Sequence, residues 1–187
     1  MVSTLDGITR RGRSRPAQSF ADINPPHHAP AGAQNRIRVQ VVGPDGTVKQ
    51  DVQAEGNIVA TYGLSRIVAL LAGGSMNCSD WIGGMRIGTD NTAAASTDTR
   101  LLASTGSVDL TDSGDVAEAG ARTLRCVATF ASDNPAGAAQ IREIGIYASS
   151  NVTTGIVARK DLTGAESVNK GASDSLNVSY DLVFTTA

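Results

Sequence analysis

The sequence predicts a mainly β protein: an antiparallel β-sandwich with one packed α-helix and an extended N-terminal arm. Apolar and polar residues alternate in several short segments from Arg36 onward, which is typical of strands with one buried face. Gly, Asn, Asp and Ser separate these segments, as tight turns require. A chain of 187 residues is within the range of a single domain and can bury roughly 70% of its unfolded surface.

The predicted arm covers residues 1–34, and the predicted domain covers residues 35–187. The arm has no sustained strand or helix periodicity, and its basic stretch RRGRSR is followed by the Pro-rich stretch NPPHHAP. Such a composition buries too little apolar surface to offset the entropy of ordering. We therefore expect the arm to be disordered alone or ordered by lying on another surface.

Regular structure is expected to begin with a hairpin. RIRVQVV alternates Ile and Val with polar residues, GPDG turns the chain, and TVKQDV alternates again. A helix at about residues 57–72 follows, ended by Gly73 and Gly74. Its apolar stripe has the spacing i, i+3, i+4 and i+7 and consists of Leu64, Ile67, Val68 and Leu71.

The remainder of the domain is predicted to be strands and turns. The predicted strands are WIGGMRIGT, RLLAS, RTLRCVATFA, AQIREIGIYA, TGIVARK and SLNVSYDLVFT, with the loop DNTAAASTDT between the first two. The clearest alternation is in the last segment, where Leu176, Val178, Tyr180, Leu182 and Phe184 share one face.

We predict no catalytic, cofactor-binding or metal-binding residues. The two histidines, His27 and His28, lie in the arm, where nothing would hold a general base in fixed geometry. The Gly-rich pieces LAGGS and IGGMRIG lack the spacing of phosphate-binding loops. Cys78 and Cys126 form no metal-ligand pattern and are interpreted as free thiols.

One acidic loop, Asp109 to Asp115, has the composition of a calcium loop but lacks the ligand spacing and the closing Glu of an EF-hand. An incidental cation there is left open. No apolar run approaches the roughly 20 residues of a membrane-spanning helix. We therefore predict no membrane association and, in the absence of an apolar segment after the N-terminal arginines, no secretory signal.

Charge is divided unevenly along the chain. Residues 1–38 contain six Arg against Asp6 and Asp22, a net charge of +4, whereas the remainder has ten basic and sixteen acidic residues, a net charge of −6. Four of these arginines are interface candidates: Arg10, Arg11, Arg13 and Arg15. Few base-stacking aromatics accompany them, so a solvated arm or one docked on another subunit is favoured over nucleic-acid contact.

The strand AQIREIGIYAS carries two adjacent charges between apolar residues. Strand alternation places Arg142 with Ile144 and Ile146, and Glu143 with Ile141 and Tyr147. Unpaired burial of either charge would be costly. We expect Arg142 and Glu143 to be paired, either within one sandwich or across a subunit interface. The interface candidates of this strand are Arg142, Glu143 and Tyr147.

Three segments in order resemble a known family: MRIGTDNTAAASTDTRL, then QIREIGIYAS followed by GIVARKDL, then VNKGASDSLNVSYDLVF. They are similar to the β-domain at the amino end of tail fibre proteins of tailed bacteriophages, which has an "ialGtG...T.L" segment, an "IREIGLfd.dG.liA" segment and a "yK..g..l.v...l" segment. The resemblance covers about Asn57 to Thr186. The arm and hairpin lie outside it, and the long shaft that follows this domain in the fibre family has no counterpart here.

The resemblance implies a non-enzymatic structural component of a bacteriophage virion, made in the cytoplasm of the bacterial host. We expect a homo-oligomer, with a trimer favoured, that acts as an adaptor on the tail or neck and anchors fibres or other parts. Its partners would be other virion proteins, namely tail, neck or capsid subunits.

Two alternatives remain at this point. The first is a capsid decoration (cement) protein, which the short chain without a shaft favours. The second is a host-surface glycan-binding module that uses the polar loops. One Trp and three Tyr provide few stacking platforms for sugars and weigh against the second alternative.

Overall fold

The structure is a computed structural model that describes residues 33–56, 58–71, 82–110, 115–119, 123–148 and 155–184. Its elements are β1 Ala33–Val42, β2 Val48–Glu55, β3 Ile58–Val59, α1 Thr61–Leu71, β4 Gly84–Gly88, β5 Ser104–Asp109, β6 Val116–Glu118, β7 Thr123–Phe130, β8 Ala139–Ile141, β9 Glu143–Tyr147, β10 Ile156–Asp161, β11 Val168–Lys170 and β12 Ser175–Phe184. A short 3₁₀ turn, Gly164–Glu166, precedes β11. Residues 1–32 of the predicted arm lie outside the described residues.

The prediction of a mainly β, antiparallel fold is confirmed. One five-stranded sheet has the order β2-β1-β12-β7-β6, and a second has the order β3-β10-β9-β4-β5. A separate two-stranded sheet pairs β8 with β11. Apolar residues from both large sheets form one buried cluster, so the sheets pack face to face as a sandwich.

The first sheet follows its sequence pattern closely. In β1, Ile37, Val39 and Val41 are buried and lie opposite Tyr180, Val178 and Leu176 of β12. Polar residues on the other face of this sheet form ion pairs, such as Arg38 with Asp51 and Arg125 with Asp181. The hydrogen bond from Arg38 lowers the pKa of Asp51 to about 2. Strands β1 and β2 pair antiparallel, which confirms the predicted hairpin.

Strand β9 is at the centre of the second sheet and is buried on both faces. All five of its residues, Glu143 to Tyr147, are buried. Ile144 and Ile146 belong to the core between the two large sheets. Tyr147 packs instead with Leu101, Ala60 and Ile156 in a smaller cluster. The outer face of this sheet is therefore covered by other parts of the chain.

Two predicted strands differ from the structure. The predicted strand around Arg142 is two strands, because β8 pairs with β11 whereas β9 pairs with β4 and β10. RLLAS is not a strand, since residues 100–103 are irregular and β5 begins at Ser104. Its backbone N–H groups at Leu101, Leu102 and Ala103 bind side chains of β9 rather than a neighbouring strand.

Helix α1 lies within the predicted range of about 57–72 but begins only at Thr61, because Ile58 and Val59 form β3, and its apolar stripe is largely outward. Gly63 lies in close contact with the sheet, since an added Cβ would overlap the carbonyl group of Val157. Ile67 packs against the core, whereas Leu64 and Val68 are 51% and 63% exposed. The side chain of Leu71 lies outside the described part. None of the helical segments in the described ranges has the length and apolar character that crossing a bilayer requires.

Candidate functional site

The most distinctive feature of the described surface is the irregular segment between β4 and β5, residues 89–103, which we call the β4–β5 loop. It runs over the outer face of β9 and β10. Long segments without secondary structure are uncommon in compact domains and are often functional. This loop is attached to the sheet by buried charged groups.

Glu143 provides the first attachment and is completely buried. Its Oε1 atom accepts a hydrogen bond of 2.8 Å from the backbone N–H of Ala103. Its Oε2 atom accepts one of 3.1 Å from the N–H of Leu102 and is 3.0 Å from Nη2 of Arg159. Gly88 makes room for this carboxylate, since an added Cβ would overlap it. Both oxygens of Glu143 are therefore used within the chain.

Arg159 connects the carboxylate to the other end of the loop. Its side chain is 1% exposed, and its Nη1 atom lies 2.7 Å from Oδ2 of Asp98. Its Nη2 atom also donates to the carbonyl oxygen of Thr92 at 3.0 Å. Burial opposes the charged form, but the hydrogen bond that Arg159 donates to Asp98 and the charges of Glu143 and Asp98 outweigh it and raise the pKa of Arg159. We call Glu143, Arg159 and Asp98 the loop clamp.

Further contacts reinforce the clamp. The N–H of Leu101 donates to the hydroxyl oxygen of Tyr147 at 2.6 Å, and burial raises the pKa of this tyrosine. At the start of α1, the N–H and the hydroxyl of Thr61 both donate to the carbonyl oxygen of Ser96. The loop is thus fixed to β9, β10 and α1.

A second loop, residues 131–138 between β7 and β8, is held in a similar way. Lys170 is 2% exposed, and its ammonium group donates to four backbone carbonyl oxygens at 2.7–3.3 Å: those of Ser132, Pro135, Gly137 and Gly171. Burial lowers the pKa of Lys170. Asn134 of the same loop bonds the N–H and the carbonyl oxygen of Ser107, which covers the edge of β5.

The predicted interface candidates do not share one surface: two are buried, one is half-buried and four lie outside the described residues. Glu143 and Tyr147 are 0% and 1% exposed, so their side chains face the interior of this chain rather than a surface for another subunit. The expected pairing of Arg142 with Glu143 is wrong, because Arg142 lies between β8 and β9 whereas Glu143 belongs to β9 and pairs with Arg159. Arg142 is half-buried and contacts Gln140. Arg10, Arg11, Arg13 and Arg15 lie outside the described residues.

The sequence reasoning did not single out Arg159, Asp98 or Lys170. Arg159 follows three buried residues of β10, and a charge directly after an apolar run was the available signal. Lys170 is the last residue of β11. A charged residue at a strand end is more often solvated, so neither signal identifies a buried role.

The charged groups of the loop clamp hold the β4–β5 loop in place. Each charged group of the clamp is bonded to the chain itself, and the described ranges contain no cluster of three or more His, Cys, Asp or Glu residues that could hold a metal ion. Thr111 to Gly114 of the acidic loop considered for a cation lie outside the described residues. No family model, no curated protein and no solved structure matches this chain.

Replacement of Glu143 by Ala should destabilise the fold strongly, because it removes one of the two acidic partners of the buried Arg159 and the acceptor of the Leu102 and Ala103 N–H groups. We expect the free energy of unfolding to fall by about 3–5 kcal/mol, measured by denaturant titration. Asp51→Ala is the matched control, since it breaks an ion pair that is exposed, and should change stability little. Equal, small losses for both variants would contradict the structural role of the clamp.

Proposed function

We propose that this chain is a non-enzymatic structural component of a bacteriophage virion, an oligomeric adaptor on the tail or neck that anchors fibres or other parts. The observation that supports it is the convergence of the three segments that resemble tail fibre attachment domains. The first segment contributes the β4–β5 loop, the second contributes Glu143 and Arg159, and the third contributes Lys170. The resemblance therefore falls on residues that fix surface loops.

Fixed loops suit a protein that makes permanent contacts. A loop that is already ordered pays less conformational entropy on binding than a mobile one. The exposed residues of the β4–β5 loop include Ala93, Ala95, Ser96 and Thr97, whose small side chains lose little freedom when covered. This combination favours a docking surface of defined shape, as an adaptor between virion parts needs.

The apolar row on α1 supports the oligomeric part of the proposal. Leu64 and Val68 are one helical turn apart and mostly exposed in the single chain. Burial of apolar surface contributes roughly 25 cal/mol per Å², so such a row favours association. We infer that a second copy of the chain covers it, since the proposed homo-oligomer needs a contact surface between copies. A trimer would place three α1 helices around a threefold axis.

Leu64→Asp should dissociate this oligomer without unfolding the protomer, because it places a charge in the apolar contact while the side chain is solvated in the single chain. Sedimentation equilibrium should show the mass of a monomer, with an unchanged circular dichroism spectrum. Ala69→Asp is the control: it adds the same charge to an exposed position of α1 outside the Leu64–Val68 row. A parent protein that is already monomeric, or equal dissociation by both variants, would contradict association through α1.

The virion role predicts where and how often the chain occurs in a particle. Purified phage particles should contain the chain at the tail or neck in a small number of copies set by the local symmetry, about a dozen or fewer. Quantitative mass spectrometry against an isotope-labelled peptide gives the number, and a gold-labelled tag gives the location. Hundreds of copies on the capsid would support decoration instead, and absence from particles would contradict a virion role altogether.

A further inference from the structure

Arg142 lies in a small cleft that the loop clamp does not use. The cleft has a volume of about 250 Å³ and is lined by Asn91, Gln140, Arg142, Leu162, Thr163 and Ser167. The backbone of Arg142 is fixed on both sides: its N–H donates to Gly88 and its carbonyl oxygen accepts from the N–H of Leu162 at 2.6 Å. The position of the arginine is therefore determined by the sheet.

Neutral groups orient the guanidinium. Its Nε and Nη2 atoms donate to Oε1 of Gln140, with 2.9 Å for the Nε bond. The Nε2 group of Gln140 lies 3.4 Å from the Oγ atom of Ser167, which in turn donates to the carbonyl oxygen of Gly164 at 2.9 Å. This chain of hydrogen bonds holds the arginine in place without neutralising its charge.

The cation has no acidic partner in the described part of the chain. Arg38, Arg125 and Arg159 each form an ion pair with Asp or Glu, whereas Arg142 forms none with any described residue. The acid of the adjacent 3₁₀ turn, Glu166, is paired with Lys160 at 3.1 Å. Within the described part of the chain, the hydrogen bonds of the guanidinium run from Nε and Nη2 to Gln140, and the residue is half-buried.

We propose that this cleft binds a carboxylate, supplied by an acidic side chain of a partner polypeptide. A guanidinium held in one orientation matches the two oxygens of a carboxylate, and Asn91 and Thr163 offer further donors in the same cleft. The volume is below the roughly 300–1,000 Å³ typical of small-molecule pockets, which favours a single inserted side chain over a free metabolite. The inference goes beyond the virion role, since it requires only a partner with an exposed Asp or Glu.

The test uses the whole chain and a mimic of a glutamate side chain, N-acetyl-glutamate α-amide. Titration should shift the side-chain Nε–Hε resonance of Arg142 in a saturable manner, as measured by two-dimensional NMR. N-acetyl-glutamine amide, which has the same shape without the charge, should produce no saturable shift. The resonance of Arg38, whose guanidinium is already paired with Asp51, serves as an internal control for general ionic effects.

Arg142→Gln should abolish the saturable shifts of backbone amides around the cleft, such as those of Thr163 and Ser167. The titration of the unchanged protein is decisive even if this variant fails to fold. A response of Arg142 that is linear and equal to that of Arg38 would overturn the proposal. A saturable response to inorganic phosphate at lower concentration than to the carboxylate mimic would overturn it too, since the site would then be selective for phosphate.

Discussion

The ion pair between Glu143 and Arg159 is the interaction on which the outer face of the second sheet depends. Two charges that are 0% and 1% exposed are stable only when nearly all of their hydrogen-bonding capacity is used. The further hydrogen-bonding partners of the pair come from the β4–β5 loop, namely its backbone groups and Asp98. Loop and ion pair are thus mutually dependent: the pair holds the loop, and the loop keeps water from the pair.

The same solution recurs at Lys170, where a buried ammonium group gathers carbonyl oxygens of the second loop. Composition suggests why charges take this role. Aromatic residues make up 4% of the chain, so few large apolar side chains are available to cover the outer face of a sheet. Charged groups with several donors or acceptors can instead attach irregular backbone at specific points, which also fixes its shape.

The sequence predicts the sandwich because the strands of the first sheet bury one face each, as Ile37, Val39 and Val41 illustrate. It could not predict the clamp, since Asp98 and Arg159 are 61 positions apart and only the fold brings them together. The spacing of apolar residues also could not predict which face of α1 packs against the sheet. Gly63 and Ile67 pack toward the sheet and its core, whereas Leu64 and Val68 of the predicted stripe are exposed.

Hydrogen exchange at the backbone amides of Leu102 and Ala103 tests the role of the ion pair most directly. Neither amide belongs to a sheet, and each donates to the buried carboxylate of Glu143. If the pair holds the loop, both amides should exchange as slowly as those of β9, because the carboxylate is released only when the sheet opens. Exchange at the rate of an unprotected peptide, with β9 still protected, would contradict this dependence.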